Sequence, residues 1–378
     1  MSLIKRLIKA TYLQAFFTLF KLFPVKKKRV LFSSFYGRQC SGDPKAIYEK
    51  LLSLKTEHEL IWVLNKPGSL SIKAVNRYSL KHLFYLATCE FRIDNCQESH
   101  YLKPKSSTTY IQTWHGSPLK KIAQDLDDAF IAHKQDWLLD ANYWDFLFAP
   151  SIEIAEIFSK AFKIDNKKVI NTGNPRNEIL GNSDTILMNK VKTSLNIPST
   201  KKIILYAPTF RDDEQGKFYL KLSKDKIVNA LGSDYLLLVR LHSNIKHLVN
   251  GSFDNENIMN VTEYDDIQEL MLISDILITD YSSVFFDFAI TEKPMLFYPY
   301  DIDKYKNTLR GFYFDYQSTV PGKVVYDEDS LIEAILKLES KEYKESELNR
   351  VKLFNQKFNE NKVDSINILK QVGLLDEA

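Results

Sequence analysis

After Pro24 short apolar runs alternate with longer stretches in which apolar residues recur at helical spacing. The runs predict strands at 29–35, 60–64, 91–94, 109–114, 146–149 and 169–172, and then at 203–207, 235–241, 276–279, 295–298 and 324–326. Most are unbroken apolar segments, the pattern of strands buried on both faces rather than one. Between them, 43–54, 152–161, 184–195 and 267–273 carry the helical period. Regular alternation of this kind predicts βαβ units and parallel sheets, an α/β fold. The pattern occurs twice in tandem, interrupted most clearly over 182–202, where Pro198-Ser199-Thr200 follows a charged helix. The expected division is therefore an N-terminal segment 1–28, a first α/β domain 29–190, and a second α/β domain 191–378 ending in a helical tail.

The 378 residues suit two domains with well-buried cores, at about 100–200 residues each. Charge changes the picture only locally. With 51 basic against 48 acidic side chains, no net excess points to a nucleic-acid partner. Before Asp43, however, the chain has no Asp or Glu, while Lys5, Arg6, Lys9, Lys21 and Lys26–Arg29 are all basic. Leu3, Ile4, Leu7, Ile8, Ala15, Phe16, Leu19, Phe20 and Phe23 recur there at mainly helical spacing. This predicts an amphipathic helix with a basic flank, suited to an anionic membrane surface or, alternatively, to packing on the protein's own core. Charges interrupt it too often for a transmembrane span, and no small-residue cleavage site follows an apolar core. Cys40, Cys89 and Cys96 form neither a disulfide framework nor a paired zinc motif, which fits a reducing compartment.

In open parallel sheets ligands bind beyond the carboxyl ends of the strands, and polar residues cluster there. His115 and Gly116 follow the strand at 109–114. The histidine can take a proton from an attacking hydroxyl, the glycine permits close ligand approach, and the competing role is a structural histidine bonded to backbone. Arg240 and His242, two residues apart at the end of 235–241, face one side if the strand persists and then suit phosphate oxygens. Ser282 and Ser283 precede a helical run carrying Asp287. A helix start with hydroxyl donors seats a diphosphate, and Asp287 can accept from ribose hydroxyls; a plain serine cap is the simpler alternative. Thr209 and Arg211 follow the first strand of the second series and suit phosphate or base. Asp212-Asp213 next to them raises a metal, which is set aside because no second carboxylate cluster has ligand spacing. Arg176, in the turn after 169–172, is a phosphate clamp or an interdomain ion-pair partner. Asp43 is a helix cap with Pro44 at the first helical position, or the carboxylate that orients His115.

Taken together, TWHGSPLKKI, GNPRNE, YAPTFRDD, RLH, SDILITDYSSVFFDF and KPMLFYPYDIDKYKNTLRGFYFDY resemble the CDP-glycerol:poly(glycerophosphate) glycerophosphotransferase family of teichoic-acid and capsule enzymes. The resemblance runs from about Val30 to about Tyr316. It implies a glycosyltransferase-B-like fold, two Rossmann-like domains facing a central cleft. It implies transfer of glycerol phosphate from CDP-glycerol to a lipid-linked saccharide or polyol-phosphate acceptor, with release of CMP and no cofactor or obligatory metal. The setting implied is the cytoplasmic face of the membrane, with peripheral attachment. Ribitol phosphate from CDP-ribitol is the alternative payload, and a nucleotide-sugar glycosyltransferase of the same fold the alternative reaction. A non-catalytic scaffold fits poorly with so many polar groups at strand ends. By resemblance His115 is the general base, His242 acts on the donor phosphates, Ser282, Ser283 and Asp287 hold the cytidine diphosphate half, and Arg310 is a second phosphate contact. Where many relatives read Ser-Asp-Asn-Pro this chain has Ser41-Gly42-Asp43-Pro44, so Gly42 stands at the expected acidic position.

Overall fold

The computed structural model of the protein describes residues 3–67, 72–126, 131–182, 184–209, 221–241, 255–302 and 311–376. The chain forms two compact units. One comprises residues 1–115, 122–178 and 361–378, the other residues 116–121 and 179–360. In the first, the described strands are β1 (Lys26–Ser33), β2 (Glu59–Leu64), β3 (Ala74–Asn76), β4 (Cys89–Asp94), β5 (Thr109–Gln112), β6 (Phe146–Ala149) and β7 (Val169–Asn171). They form one parallel sheet in the order β3-β2-β1-β4-β5-β6-β7. In the second unit β8 (Lys202–Ala207), β9 (Tyr235–Val239), β10 (Ile258–Asn260), β11 (Ile276–Thr279), β12 (Met295–Phe297) and β13 (Lys323–Val324) are ordered β10-β9-β8-β11-β12-β13, again all parallel.

The unbroken apolar runs are explained by burial of both sheet faces. Along β1 and β2, Val30, Phe32, Trp62 and Leu64 pack with Ile47 and Leu51 of the helix Gly42–Ser53 and with Ile368 and Leu369 of the helix Ser365–Gln371. The alternate residues Leu31, Ile61 and Val63 pack on the other side with Leu83 and Leu86 of the helix Leu80–Thr88 and with Leu13 and Phe17 of the helix Leu3–Phe20. Alternation along a strand sends successive side chains to opposite faces, so both faces need an apolar residue.

Every strand expected from the sequence forms, with ends shifted by at most three residues. The strands not anticipated, β3 and β10, are sheet edges of three residues each, too short to register as apolar runs. Two differences affect domain organisation. The first unit ends at Glu178 rather than 190, and the tail from Asn361, expected with the second domain, folds into the first. Its Ile368, Leu369, Val372 and Leu374 are buried in the first unit's core.

The N-terminal helix forms over Leu3–Phe20 and packs on the protein's own core along one stripe. Leu13 and Phe17 are buried against the first unit, with Phe16 and Phe20 packed beside them. Leu7, Ile8, Leu19, Leu22 and Phe23 remain exposed, Leu22 at 81%. The basic run belongs to β1 rather than to the helix, and Lys26, Lys27 and Lys28 pair with Glu59, Glu90 and Glu57. No described helix is long and apolar enough to cross a membrane.

Candidate active site

Strand order locates a candidate site in each unit. In the first, the order reverses between β1 and β4; in the second, between β8 and β11. Crossovers leave such a pair in opposite directions, opening a crevice at the strands' carboxyl ends.

In the first unit, β1 runs into a turn in which Phe35 and Tyr36 both have positive φ, 47° and 60°. Asn95, immediately after β4 and fully buried, holds this turn. Its Oδ1 accepts from the Phe35 N–H at 2.8 Å and its Nδ2 donates to Ser34 Oγ at 3.3 Å. Ser34 Oγ in turn donates to the Ser41 carbonyl at 2.9 Å. The Asn95 carbonyl lies 2.9 Å from His115 Nδ1. A carbonyl can only accept, so Nδ1 carries a proton, and in the neutral ring the lone pair is on Nε2. His115 is exposed, and one face of its ring lies on Trp114, with centroids 4.4 Å apart and planes 27° apart. Trp114 is wedged among Trp137, Phe158 and Phe162 with its φ at 56°. The left-handed conformation costs a bulky residue about 1–2 kcal/mol, which the aromatic packing offsets.

Beneath this site the loop after β4 is tied into buried charge. Glu98 pairs with Arg77 at 3.1 Å, both buried. Burial alone would raise the Glu98 carboxyl, but Arg77 and Arg92 outweigh it and hold it down at about 2. Asp140 accepts from Tyr110 Oη and Trp144 Nε1 at 3.0 Å each and from the Glu98 N–H at 3.3 Å. Burial pushes the Asp140 carboxyl up to about 7 despite these donors.

Asp43 does not take the His115 Nδ1 position expected for it. Its Oδ1 accepts the Arg176 N–H at 2.9 Å, and its Oδ2 pairs with Arg176 Nη1, with both side chains buried. The acceptor at His115 Nδ1 is the Asn95 carbonyl. Arg176 thus pairs with Asp43 within the first unit.

In the second unit, the β8 and β11 ends are joined by Asp280, whose buried carboxylate accepts from the Thr209 N–H at 2.8 Å. Thr209, Ser282 and Ser283 are thereby gathered at the reversal point. The helix after them, Val284–Phe288, is a single turn that continues as 3-10 helix. Ser283 does not cap it through its side chain, whereas Ser282 Oγ accepts from the Val284 N–H at 3.5 Å. Asp287 is buried and accepts from Gln268 Nε2 at 3.3 Å, so this carboxylate is oriented by a neighbouring helix. Gly116 begins the short 116–121 segment that belongs to this unit, and a Cβ on it would stand 2.6 Å from Ser283 Oγ. A side chain there would force Ser283 Oγ to rotate away and press on its Cβ at 3.2 Å. The segment is pinned further on, where Lys121 N–H donates to the Gly311 carbonyl at 2.8 Å and Tyr313 N–H to Leu119 at 2.9 Å. The WHG sequence thus straddles the passage from one unit to the other.

Arg240 differs from expectation. β9 ends at Val239, and Arg240 Nη1 donates to the backbone carbonyls of Val261 and Tyr264, clamping the loop after β10. His242, Arg211 and Arg310, expected at the donor phosphates, lie outside the described residues, as does Asp212-Asp213.

Residues 15–367 match the model of the CDP-glycerol:poly(glycerophosphate) glycerophosphotransferase family. The chain belongs to this family. It is 40% identical over 362 residues to the teichoic acid poly(glycerol phosphate) polymerase of Bacillus subtilis, covering 90% of this chain and 48% of that protein. It therefore spans about half the length of that relative. It is 37% identical over 383 residues to the teichoic acid glycerol-phosphate transferase of Staphylococcus aureus, covering 94% of this chain and 95% of that one. A ribitol-phosphate polymerase of Bacillus spizizenii is more distant, at 28% over 335 residues, covering 84% of this chain and 52% of that protein. Among solved structures, a histidine-to-asparagine variant of the wall teichoic acid polymerase TagF soaked with CDPG superposes with a TM-score of 0.87 at 32% identity, over 98% of each chain. The glycerophosphotransferase fold expected from the sequence is thus the one observed.

Sequence reasoning missed Asn95, Gln112, Gln268 and Asp280, whose side chains or carbonyls hold the candidate site residues and the turns beside them. Three of them close or follow apolar strands, at Asp94-Asn95, Gln112-Thr113 and Asp280-Tyr281. A polar residue terminating an apolar run was the signal available.

Proposed function

We propose that this glycerophosphotransferase moves glycerol phosphate from CDP-glycerol to a hydroxyl of a membrane-linked acceptor in teichoic acid or related polymer synthesis. The acceptor oxygen attacks the phosphorus that carries the glycerol, the bond from that phosphorus to the CMP oxygen breaks, and CMP leaves. His115 takes the hydroxyl proton on Nε2. The observation that carries this reading is the His115 ring itself, exposed at the first unit's reversal point with its Nδ1 proton committed to the Asn95 carbonyl. A base so held presents its lone pair in one direction, as proton abstraction requires. Thr209, Ser282, Ser283 and Asp287 suit the cytidine diphosphate because they stand at the second unit's reversal point. His242 and Arg310 are assigned to the phosphates on family membership alone. Glycerol is favoured over ribitol because the glycerol-phosphate relatives are the nearer ones. The test is incubation with CDP-glycerol or CDP-ribitol and a lipid-linked acceptor, followed by mass analysis. CMP release with products growing by glycerol phosphate is expected, and no transfer from either donor overturns the reading.

The same enzyme is proposed to rest on the inner membrane surface through its N-terminal helix. The support is apolar rather than electrostatic. Leu7, Ile8, Leu19, Leu22 and Phe23 are exposed, while the lysines of β1 already face carboxylates. Combining Leu19→Glu, Leu22→Glu and Phe23→Glu is expected to abolish co-sedimentation with phosphatidylglycerol vesicles while leaving transfer to a soluble acceptor analogue intact. Unchanged sedimentation would assign the helix to packing alone.

A further inference from the structure

The side chain best placed to set the state of His115 is one to which no role has been assigned, Gln112. It ends β5 and is fully buried. Its Nε2 donates to the Cys96 carbonyl at 3.2 Å, and its Oε1 accepts from the Trp114 N–H at 2.9 Å. These partners fix the amide's orientation. A carbonyl only accepts and a backbone N–H only donates, so the flipped amide would set like against like at both ends.

Each partner is one residue from a group that matters. Cys96 follows Asn95, whose carbonyl receives the His115 proton, and Trp114 precedes His115 and lies under its ring. One rigid side chain therefore fixes the distance between the imidazole and its acceptor. It also holds Trp114 at the positive φ that turns His115 out of the strand. Other ties in this region are Asn95 to Phe35 and Ser34, Cys96 N–H to Asp94 Oδ1 at 3.0 Å, and Thr113 Oγ1, which lies 3.1 Å from the Trp114 carbonyl and 3.5 Å from the Asp94 carbonyl. Thr113 N–H reaches the Asp94 carbonyl at 2.9 Å, joining the strands but not the residues that flank donor and acceptor.

We propose that Gln112 is a positioning residue for the transfer reaction, locking His115 in the Nδ1–H tautomer by bridging Cys96 and Trp114. The inference rests on the reading of His115 as the base for its catalytic consequence, but not for its structural one. If the lock is lost, the Nδ1–H tautomer is no longer selected, and molecules carrying the proton on Nε2 have no lone pair for the acceptor hydroxyl. Turnover then falls while donor binding, made elsewhere, does not.

The test uses the full chain with 15N-labelled histidine, in which long-range proton–nitrogen spectra report the tautomer of each ring and His115 is identified by its loss in His115→Gln. The wild-type ring is expected as Nδ1–H. Gln112→Met preserves shape and removes both bonds. It is expected to give a mixed or Nε2–H tautomer, kcat lowered about 10- to 100-fold, and donor KM within about twofold. Gln112→Leu likewise removes both bonds with a branched side chain of similar size; it is expected to change the tautomer in the same sense, and it decides the matter if the Met variant does not fold. A wild-type tautomer with kcat within about twofold in a folded variant overturns the proposal. Near-normal CMP release by His115→Gln would overturn the base assignment instead, leaving the tautomer measurement to judge Gln112.

Discussion

Alanine at His115 is expected to lower transfer about 100- to 10,000-fold while the affinity for CDP-glycerol stays within about twofold. The separation follows from where the side chain sits. Among the described residues, first-unit groups hold His115: the Asn95 carbonyl at Nδ1 and the Trp114 platform under its ring. The donor-side candidates Thr209, Ser282, Ser283 and Asp287 belong to the second unit. Removing an exposed imidazole leaves the Trp114 cluster packed, so the melting temperature should change little. Single-turnover CMP release with saturating donor and acceptor measures the first quantity, and calorimetric titration of CDP-glycerol into enzyme without acceptor measures the second. Turnover within tenfold of wild type would remove His115 from proton transfer. A matching loss of donor affinity would make it a binding group.

What could be read in the sequence follows from what each signal encodes. Strands buried on both faces write themselves as apolar runs, so β1, β2, β4, β5, β6, β8, β9, β11 and β12 were legible. The rule that ligands gather at the carboxyl ends of parallel strands then brought His115, Thr209, Ser282 and Ser283 into view. Helical periodicity was less informative, because it reports a buried face without naming what covers it. Ile368 and Leu369 show that the tail packs on something, but not that the chain returns to the first unit's sheet. In the N-terminal helix, apolar residues occur nearly all round, and only the fold selects Leu13 and Phe17 as its buried stripe. Polar supports were the least legible. Nothing in one sequence distinguishes a carboxylate aimed at a histidine from one aimed at an arginine, since both need only a buried acceptor near a cation.

Asp43 provides the second large effect. Asp43→Ala is expected to destabilise the protein by about 3–5 kcal/mol, because it removes a buried carboxylate that pairs with the buried Arg176 guanidinium. For a unit of this size that corresponds to a fall of roughly 6–20 °C in melting temperature. The paired replacement Asp43→Leu with Arg176→Met removes both charges and should recover most of the loss, since a buried ion pair seldom outperforms well-packed apolar side chains of similar volume. The sign of the recovery separates two roles for this carboxylate. If Asp43 serves the Arg176 turn, the single variant melts early, the double variant melts near wild type, and the double variant retains transfer. If Asp43 instead orients His115, both variants lose turnover to the same degree whatever their melting temperatures. The structure favours the first outcome: both Asp43 oxygens are engaged by Arg176, and the Nδ1 proton of His115 is received by the Asn95 carbonyl. A backbone carbonyl suits that task, because it cannot titrate and its position is set by the fold rather than by a rotamer.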